Sequence, residues 1–230
     1  MTDNRVSYEL NEGIAHIHMD DGKANVMSEP MLEALLGAFD RAESDNAVVL
    51  LSGRERIFSG GYDLKMFSEP AATIARVLRL GATLVARMAD FPLPVLAVCT
   101  GHAVAQGAFT LLAADVRFGA AGPFKLGLNE VVIGLTIPHY GVEIARMRLS
   151  PSYFQHATCT GAMYSPEEAL RAGFLDAIYP PEELMARAKE EALRLRKLNM
   201  PAHVGTKRRA RALALQLIRD SIEQELVVPS

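Results

Sequence analysis

Hydrophobic and polar positions along the chain follow two rhythms that alternate. Residues 5–20, RVSYELNEGIAHIHMD, step in twos about Asn11, Glu12 and Gly13, with Ile14, Ile17 and Met19 among the apolar positions, and predict an antiparallel hairpin. From Ser28 to Ser44 the period lengthens: Met31, Leu35, Ala38 and Phe39 fall on one helical face, with Ser28 at the cap and Pro30 in the first turn. AVVLLSG, 47–53, is apolar throughout, as a strand buried on both faces of a parallel sheet must be. A helix over 71–91, the strand PVLAVCTG, a small-residue helix from about Gln106 to Ala114 and the strand ADVRFGA repeat the scheme. SPEEALRAG predicts a capped helix, with Ser165 at the cap, Pro166 first and Glu168 closing a capping box. After the strand FLDAIYP two helices finish the chain, the first acidic at its start and basic at its end, as the helix dipole prefers. The expectation is one α/β domain, sheet-rich over residues 1–155 and helical over 156–230.

Composition narrows the function classes. Half of the 230 residues are hydrophobic, enough for a sizeable core, and 24 basic against 27 acidic residues leave a formal net charge of -3. No positive field is available for nucleic acid or an anionic membrane, so neither is expected as a partner. The basic cluster KRRAR, 207–211, is read as a solvated helix face or a subunit contact. Cys99 and Cys159 are too few for a disulfide framework and lack metal-site spacing, which suits a reducing, cytoplasmic setting. The N-terminal MTDNRVSYELNEG has no apolar run of the signal-peptide kind, and no stretch of about 18 apolar residues predicts a membrane span. The motifs GxGxxG after the first strand, GxxxxGK[ST] and GxSxG are missing, which removes the supports for dinucleotide, phosphate-loop and α/β-hydrolase chemistry. His16, His18 and Asp20 alternate on the wet face of the hairpin without a further ligand, so no metal is expected. His139, after Pro138, is read as a structural histidine in a loop.

Two glycine-containing turns carry the chemistry. FSGGYDL, 58–64, and CTGHAVAQGAFTLLAAD, 99–115, share one context: apolar strand, small residues, helix. Ligands gather at strand ends of an α/β sheet, and a helix start offers unpaired N–H donors. Two such turns side by side can hold one oxygen; alternatively, both are ordinary strand-to-helix connections that need glycine for geometry.

FSGGYDL resembles the F-S-x-G-x-D-L signature of the crotonase superfamily of enoyl-CoA hydratases and isomerases. TGHAVAQGAFTLLAADVRFGA is similar to the N-G-x-A-x-G-G-G-x-x-L-A-x-x-C-D-x-R segment of that superfamily. KANVMS, FKLGLNEVVIGLTIP and TGAMYSPEEALRAGFLDAIYP match its K-x-N-x-x-S/N, F-x-x-x-E-x-x-x-G-x-x-P and T-G-x-x-x-x-A-x-E-A blocks in the same order, from about residue 6 to residue 205. The resemblance implies an α/β fold with a superhelical core of β-β-α units and a helical C-terminal trimerisation region. It also implies an acyl-CoA thioester substrate, no cofactor beyond the coenzyme A of the substrate itself, and assembly as a homotrimer or a dimer of trimers.

By the same resemblance the backbone N–H groups of Tyr62 and Gln106 hold the thioester oxygen. Ser59, Gly60, Gly61, Asp63, Leu64 and Gly107 build the two turns, Lys23 and Ala24 lie near the adenine end of coenzyme A, and Phe109 and Pro138 line the acyl pocket. Hydratases of the superfamily use two glutamates. The first falls on Phe109 here, or on Thr110 if the register slips; the second is Glu130. Glu130 alone matches the pattern of the Δ3,Δ2-enoyl-CoA isomerases, and a 1,3-proton shift needs one base where hydration divides its work between two groups. The implied activity is therefore transfer of the double bond from 3-enoyl to 2-enoyl. Hydration, decarboxylation, thioester hydrolysis or a non-catalytic acyl-CoA-binding role stand as alternatives, the first group favoured by a second acid such as Glu143 or His139 in the pocket. The sequence departs from the family pattern at Gln106, where a glycine is usual, and at HYGVEIARMRLS, which replaces a glycine-rich continuation.

Overall fold

A computed structural model describes residues 5–227. The hairpin forms as read, β1 (Val6–Asn11) against β2 (Ile14–Met19), with Asn11 opposite Ile14 and both turn residues at positive φ, Glu12 at 51° and Gly13 at 71°. Helix α1 (Glu29–Ser44) follows; Ser28 occupies its N-cap, but the serine side chain bonds no backbone N–H. Then comes a recurring unit. Strand β3 (Val48–Ser52) turns over into β4 (Arg56–Ser59) before α2 (Ala71–Ala89), β5 (Val95–Cys99) into β6 (Gly101–Val104) before α3 (Gln106–Ala113), and β7 (Val116–Ala120) into β8 (Leu126–Gly127) before α4 (His139–Arg148). The first strand of each unit joins a six-stranded sheet of order β1-β2-β3-β5-β7-β10, parallel except for the hairpin, and the second joins a four-stranded sheet, β4-β6-β8-β9. The rest of the chain supplies α5 (Pro151–Thr160), β9 (Met163–Tyr164), α6 (Pro166–Ala172), β10 (Ala177–Tyr179), α7 (Pro181–Arg196) and α8 (Met200–Gln224).

The period of two splits the interior into two cores. Val49, Leu51, Val95 and Ala97 face α1, α2 and α3, while Val48, Leu50, Leu96 and Val98 face Leu184, Ala188, Ala192 and Leu195 of α7. That is why β5 is apolar at every position and β3 at every position but its last, Ser52. The capping box of α6 is present in full, Ser165 accepting from the Glu168 N–H and Glu168 accepting from the Ser165 N–H. No helix among the described residues is long and apolar enough to cross a membrane.

Four readings need correction. The turn FSGGYDL does not lead straight into an α-helix: a 3-10 turn, Leu64–Ser68, comes first with Asp63 accepting from the Lys65 N–H at 3.0 Å, and α2 begins after Pro70. Proline biases the residue before it away from helical backbone, which separates the two. His139 is not in a loop but is the first residue of α4, started by Pro138. The cluster KRRAR is not a solvated face throughout. Lys207 and Arg211, four apart on one face, are buried: each pairs with Asp115, at 2.7 and 2.8 Å, Arg211 donates to the carbonyl of Ala89 at the end of α2, and Lys207 donates to those of Phe91 and Leu93 just beyond it. His16 and His18 do not stand on a wet face either. Both are half-buried and bond the Ser52 hydroxyl of β3, at 2.8 and 2.9 Å.

Candidate active site

The first glycine turn is anchored from beneath by the KANVMS stretch. Gly60 N–H donates to the Ala24 carbonyl at 2.8 Å, Met27 N–H to the Gly61 carbonyl at 2.9 Å, and the Ser59 hydroxyl to the Asn25 carbonyl at 2.7 Å while accepting from Gly61 N–H at 3.2 Å. Asn25, itself at φ 48°, ties this stretch to the carbonyls of Met19 and Phe58. Asp21 steadies it further. Burial would raise its pKa, but N–H donation from Val26, Lys23 and Asn25 outweighs that and holds it below the usual carboxylate range. Lys23 is exposed, and its carbonyl accepts from Arg54.

The second turn lies directly against the first. Gly61 has φ +85°, and a Cβ built on it would stand 2.8 Å from the Val104 carbonyl oxygen, 3.0 Å from the Ala105 Cβ and 3.4 Å from the Gln106 nitrogen. Only glycine permits both that φ and that contact. Ala105 carries φ 51° and ψ -122° immediately before α3, a strained conformation for a residue with a Cβ, of a kind concentrated at functional sites. Gly107 is buried against Ser59. The amides of Gly60 and Gly61 are taken by the Ala24 carbonyl and the Ser59 hydroxyl, whereas among the described residues neither Tyr62 N–H nor Gln106 N–H, the latter at the first position of α3, meets a protein acceptor.

These turns open onto a cavity of about 380 Å³. Its walls include Gly60, Tyr62, Leu64, Phe109, Glu130 and Pro138 from the predicted set, together with Ala105, Asn129, Tyr140 and, from the far end of the chain, Glu225 and Leu226. Lys23, Ala24, Ser59, Gly61, Asp63, Gly107 and the Gln106 side chain are not among the lining groups; apart from Lys23 and Asp63 they shape the turns from behind. Glu130 opens a second 3-10 turn, Glu130–Ile133, and is 6% exposed. Burial pushes its carboxyl up to about 7, only partly opposed by its own backbone N–H, and Oε2 has no hydrogen-bond partner. A carboxylate of that pKa is half-charged near neutrality, as a general base is best placed to be. Asn129 Oδ1 is a second buried acceptor without a partner.

Phe109, where hydratases of the resembled family carry a glutamate, is an edge-on neighbour of Tyr140, with centroids 5.8 Å apart. Neither Glu143 nor His139 lines the cavity. Glu143 pairs with Arg146, the His139 ring is 78% exposed, and the His139 N–H donates to Glu225 at 2.9 Å. Glu225 is the second carboxylate of the cavity wall, and sequence reasoning passed over it because nothing local marks a residue 95 positions beyond Glu130. Tyr140 had a signal: it lies in HYGVEIARMRLS, where the family's glycine-rich pattern breaks.

A family model described as enoyl-CoA hydratase/isomerase matches residues 9–224. Carnitinyl-CoA dehydratase of Salmonella typhi is 33% identical over 189 residues, 80% of this chain and 72% of that protein. Among solved structures, an enoyl-CoA hydratase/isomerase family protein from Pseudomonas syringae is 44% identical with a TM-score of 0.94, covering 96% of both chains. A Mycobacterium tuberculosis protein, described in one solved structure as an enoyl-CoA isomerase and in another as a probable enoyl-CoA hydratase, is 43% identical in the first with a TM-score of 0.92, over 95% of this chain and 96% of that one. The two-sheet α/β architecture is the one those structures share.

Proposed function

Because the chain belongs to the enoyl-CoA hydratase/isomerase family, we propose that it moves the double bond of a 3-enoyl-CoA to the 2-position, with Glu130 as the single base and the amides of Tyr62 and Gln106 as the oxyanion hole. The thioester oxygen accepts from the two free N–H groups. Glu130 takes a proton from C2, the negative charge spreads through a dienolate onto that oxygen, and the same carboxyl returns the proton to C4. The observation that carries this reading is the unpartnered Glu130 Oε2 in a cavity where Phe109 fills the place of a second helix-borne glutamate. Leu64, Phe109 and Leu226 make the surroundings apolar, which strengthens every electrostatic contact to the developing charge.

Hydration or dehydration is the second reading. Glu225 on the same cavity wall favours it, as does the name of the Salmonella relative. Incubation with 3-enoyl-CoA and 2-enoyl-CoA of several lengths separates the two. Conjugation of the first with no water added to the second is expected; a 3-hydroxyacyl-CoA product from the second would replace isomerisation with hydration.

A pH profile gives a further check. The base works as carboxylate, so kcat/KM should rise with pH through about 7 and level off above it. A profile flat from pH 5 to 9 would remove Glu130 from the role. A homotrimer is also proposed, supported by Val131, Val132 and Ile133, which follow the base and are 40%, 68% and 41% exposed.

A further inference from the structure

Two positions where the chain departs from its family's glycine-rich pattern, Tyr140 on the cavity wall and Gln106 next to the lining residue Ala105, are bonded to each other. The Tyr140 hydroxyl donates to Gln106 Oε1 at 2.8 Å, and Gln106 Nε2 donates to the Gly81 carbonyl of α2 at 3.0 Å. The Tyr62 hydroxyl stands 3.1 Å from that of Tyr140. Because the Tyr140 proton is already committed to Gln106, Tyr62 is the donor in this last bond. Gln106 and Tyr140 are 0% exposed, so water does not compete for these groups.

The knot has its own space in the fold. A Cβ on Gly81 would fall 1.9 Å from the Tyr62 hydroxyl oxygen and 3.0 Å from Gln106 Nε2. Glycine in mid-helix costs about 1 kcal/mol relative to alanine, so its presence there fits a packing demand from the two side chains. Phe109 packs edge-on against the Tyr140 ring, and Gly141 leaves room for Phe109, since a Cβ there would stand 2.6 Å from the Phe109 ring.

Tyr62 and Gln106 are also the residues whose backbone N–H groups meet no protein acceptor among the described residues, Tyr62 on the cavity wall and Gln106 opening α3 next to the lining residue Ala105. Each therefore has one tether along the chain and a second through its side chain to a common phenol. We infer that Tyr140 is a positioning residue, which fixes the distance between the two oxyanion-hole amides by gathering the side chains of the residues that carry them. The inference rests on the oxyanion-hole part of the proposed function and is indifferent to whether the reaction is isomerisation or hydration. In relatives with glycine at the Gln106 position no such tie can form, because glycine has no side chain to bond.

The test is Tyr140→Phe in the full-length protein, read by absorbance of bound 3-phenylpropenoyl-CoA, whose band moves to the red when its carbonyl is polarised. Wild type should show the shift. Tyr140→Phe should bind the thioester with a Kd within about twofold of wild type yet show a smaller shift, and kcat on 3-enoyl-CoA should fall about tenfold or more, since small misplacements of a catalytic donor are costly. KM and melting temperature should move little, as a role in packing alone would not predict. Gln106→Leu keeps its N–H while losing both side-chain bonds, and should reproduce the loss; the double variant should be no worse than the more affected single one. A full wild-type shift in either single variant overturns the inference, as does the absence of any shift in wild type. A wild-type shift without isomerase turnover would retire that reaction alone, and the variants would still decide the role of Tyr140 by their shifts. Gln106→Leu serves as the sole judge if Tyr140→Phe fails to fold.

Discussion

Glu130→Gln is expected to lower kcat on 3-enoyl-CoA by about 10³-fold or more, the upper part of the range for loss of a general base. The amide is nearly the same size and keeps the cavity filled, so KM should stay within a few-fold. Stability gives an independent reading of the same residue. The folded carboxyl titrates near 7 against an ordinary 4.5, so the unfolded chain ionises first. Stability is then intact below about pH 4.5, falls as pH rises through the window to about 7, and stays lower above it. Gln has no charge to bury. Above pH 8 the variant should be the more stable protein, by about 3 kcal/mol at most, each pKa unit corresponding to about 1.4 kcal/mol. Urea unfolding of both proteins at pH 5 and pH 8 checks this, and an unchanged difference between the two pH values would mean that Glu130 is not desolvated.

Gly61→Ala is expected to reduce kcat by about 10²-fold, comparable to removing one donor of an oxyanion hole. The methyl would meet the Val104 carbonyl oxygen at 2.8 Å and the Ala105 Cβ at 3.0 Å, both belonging to the segment that leads into Gln106. Relief requires the turns to part, which carries the Tyr62 and Gln106 amides away from each other. The φ of +85° adds strain for any residue with a Cβ. Folding should survive with a lowered melting temperature, because the main sheet lies elsewhere. Full turnover in a folded Gly61→Ala protein would show that the contact between the two turns is not what forms the hole.

Much of this arrangement was legible in the amino-acid order, and unevenly so. The buried strands β3 and β5 and the helices α1 and α6 announce themselves by unbroken apolar runs, helical spacing or a capping box. The glycines at 60 and 61 and the lone acid at 130 are visible because their backbone and chemical demands are local. The second sheet was not legible, since β6, β8 and β9 have two to four residues each, too short for a period of two to show. α4 and α5 hid behind Pro138 and Pro151, which start helices as readily as they end them. Lys207 and Arg211 looked like surface charges because their partner, Asp115, lies 92 residues before Lys207. Glu225 reaches the cavity for the same kind of reason: a fold brings it there, and no neighbour in the chain foretells it.

The far wall of the cavity has a mechanical character of its own. Leu226 and Glu225 lie just beyond α8, and Arg79 of α2 gathers that end by donating to the Ile222 carbonyl at 2.7 Å and pairing with Glu223. Helix ends open at far lower free energy than interiors. One end of the cavity is thus formed by turns tied through backbone hydrogen bonds, and the other by a helix terminus of the kind that frays. Under the proposed function, tolerance for tail length would then follow from how firmly the Arg79 guanidinium keeps the end of α8 wound.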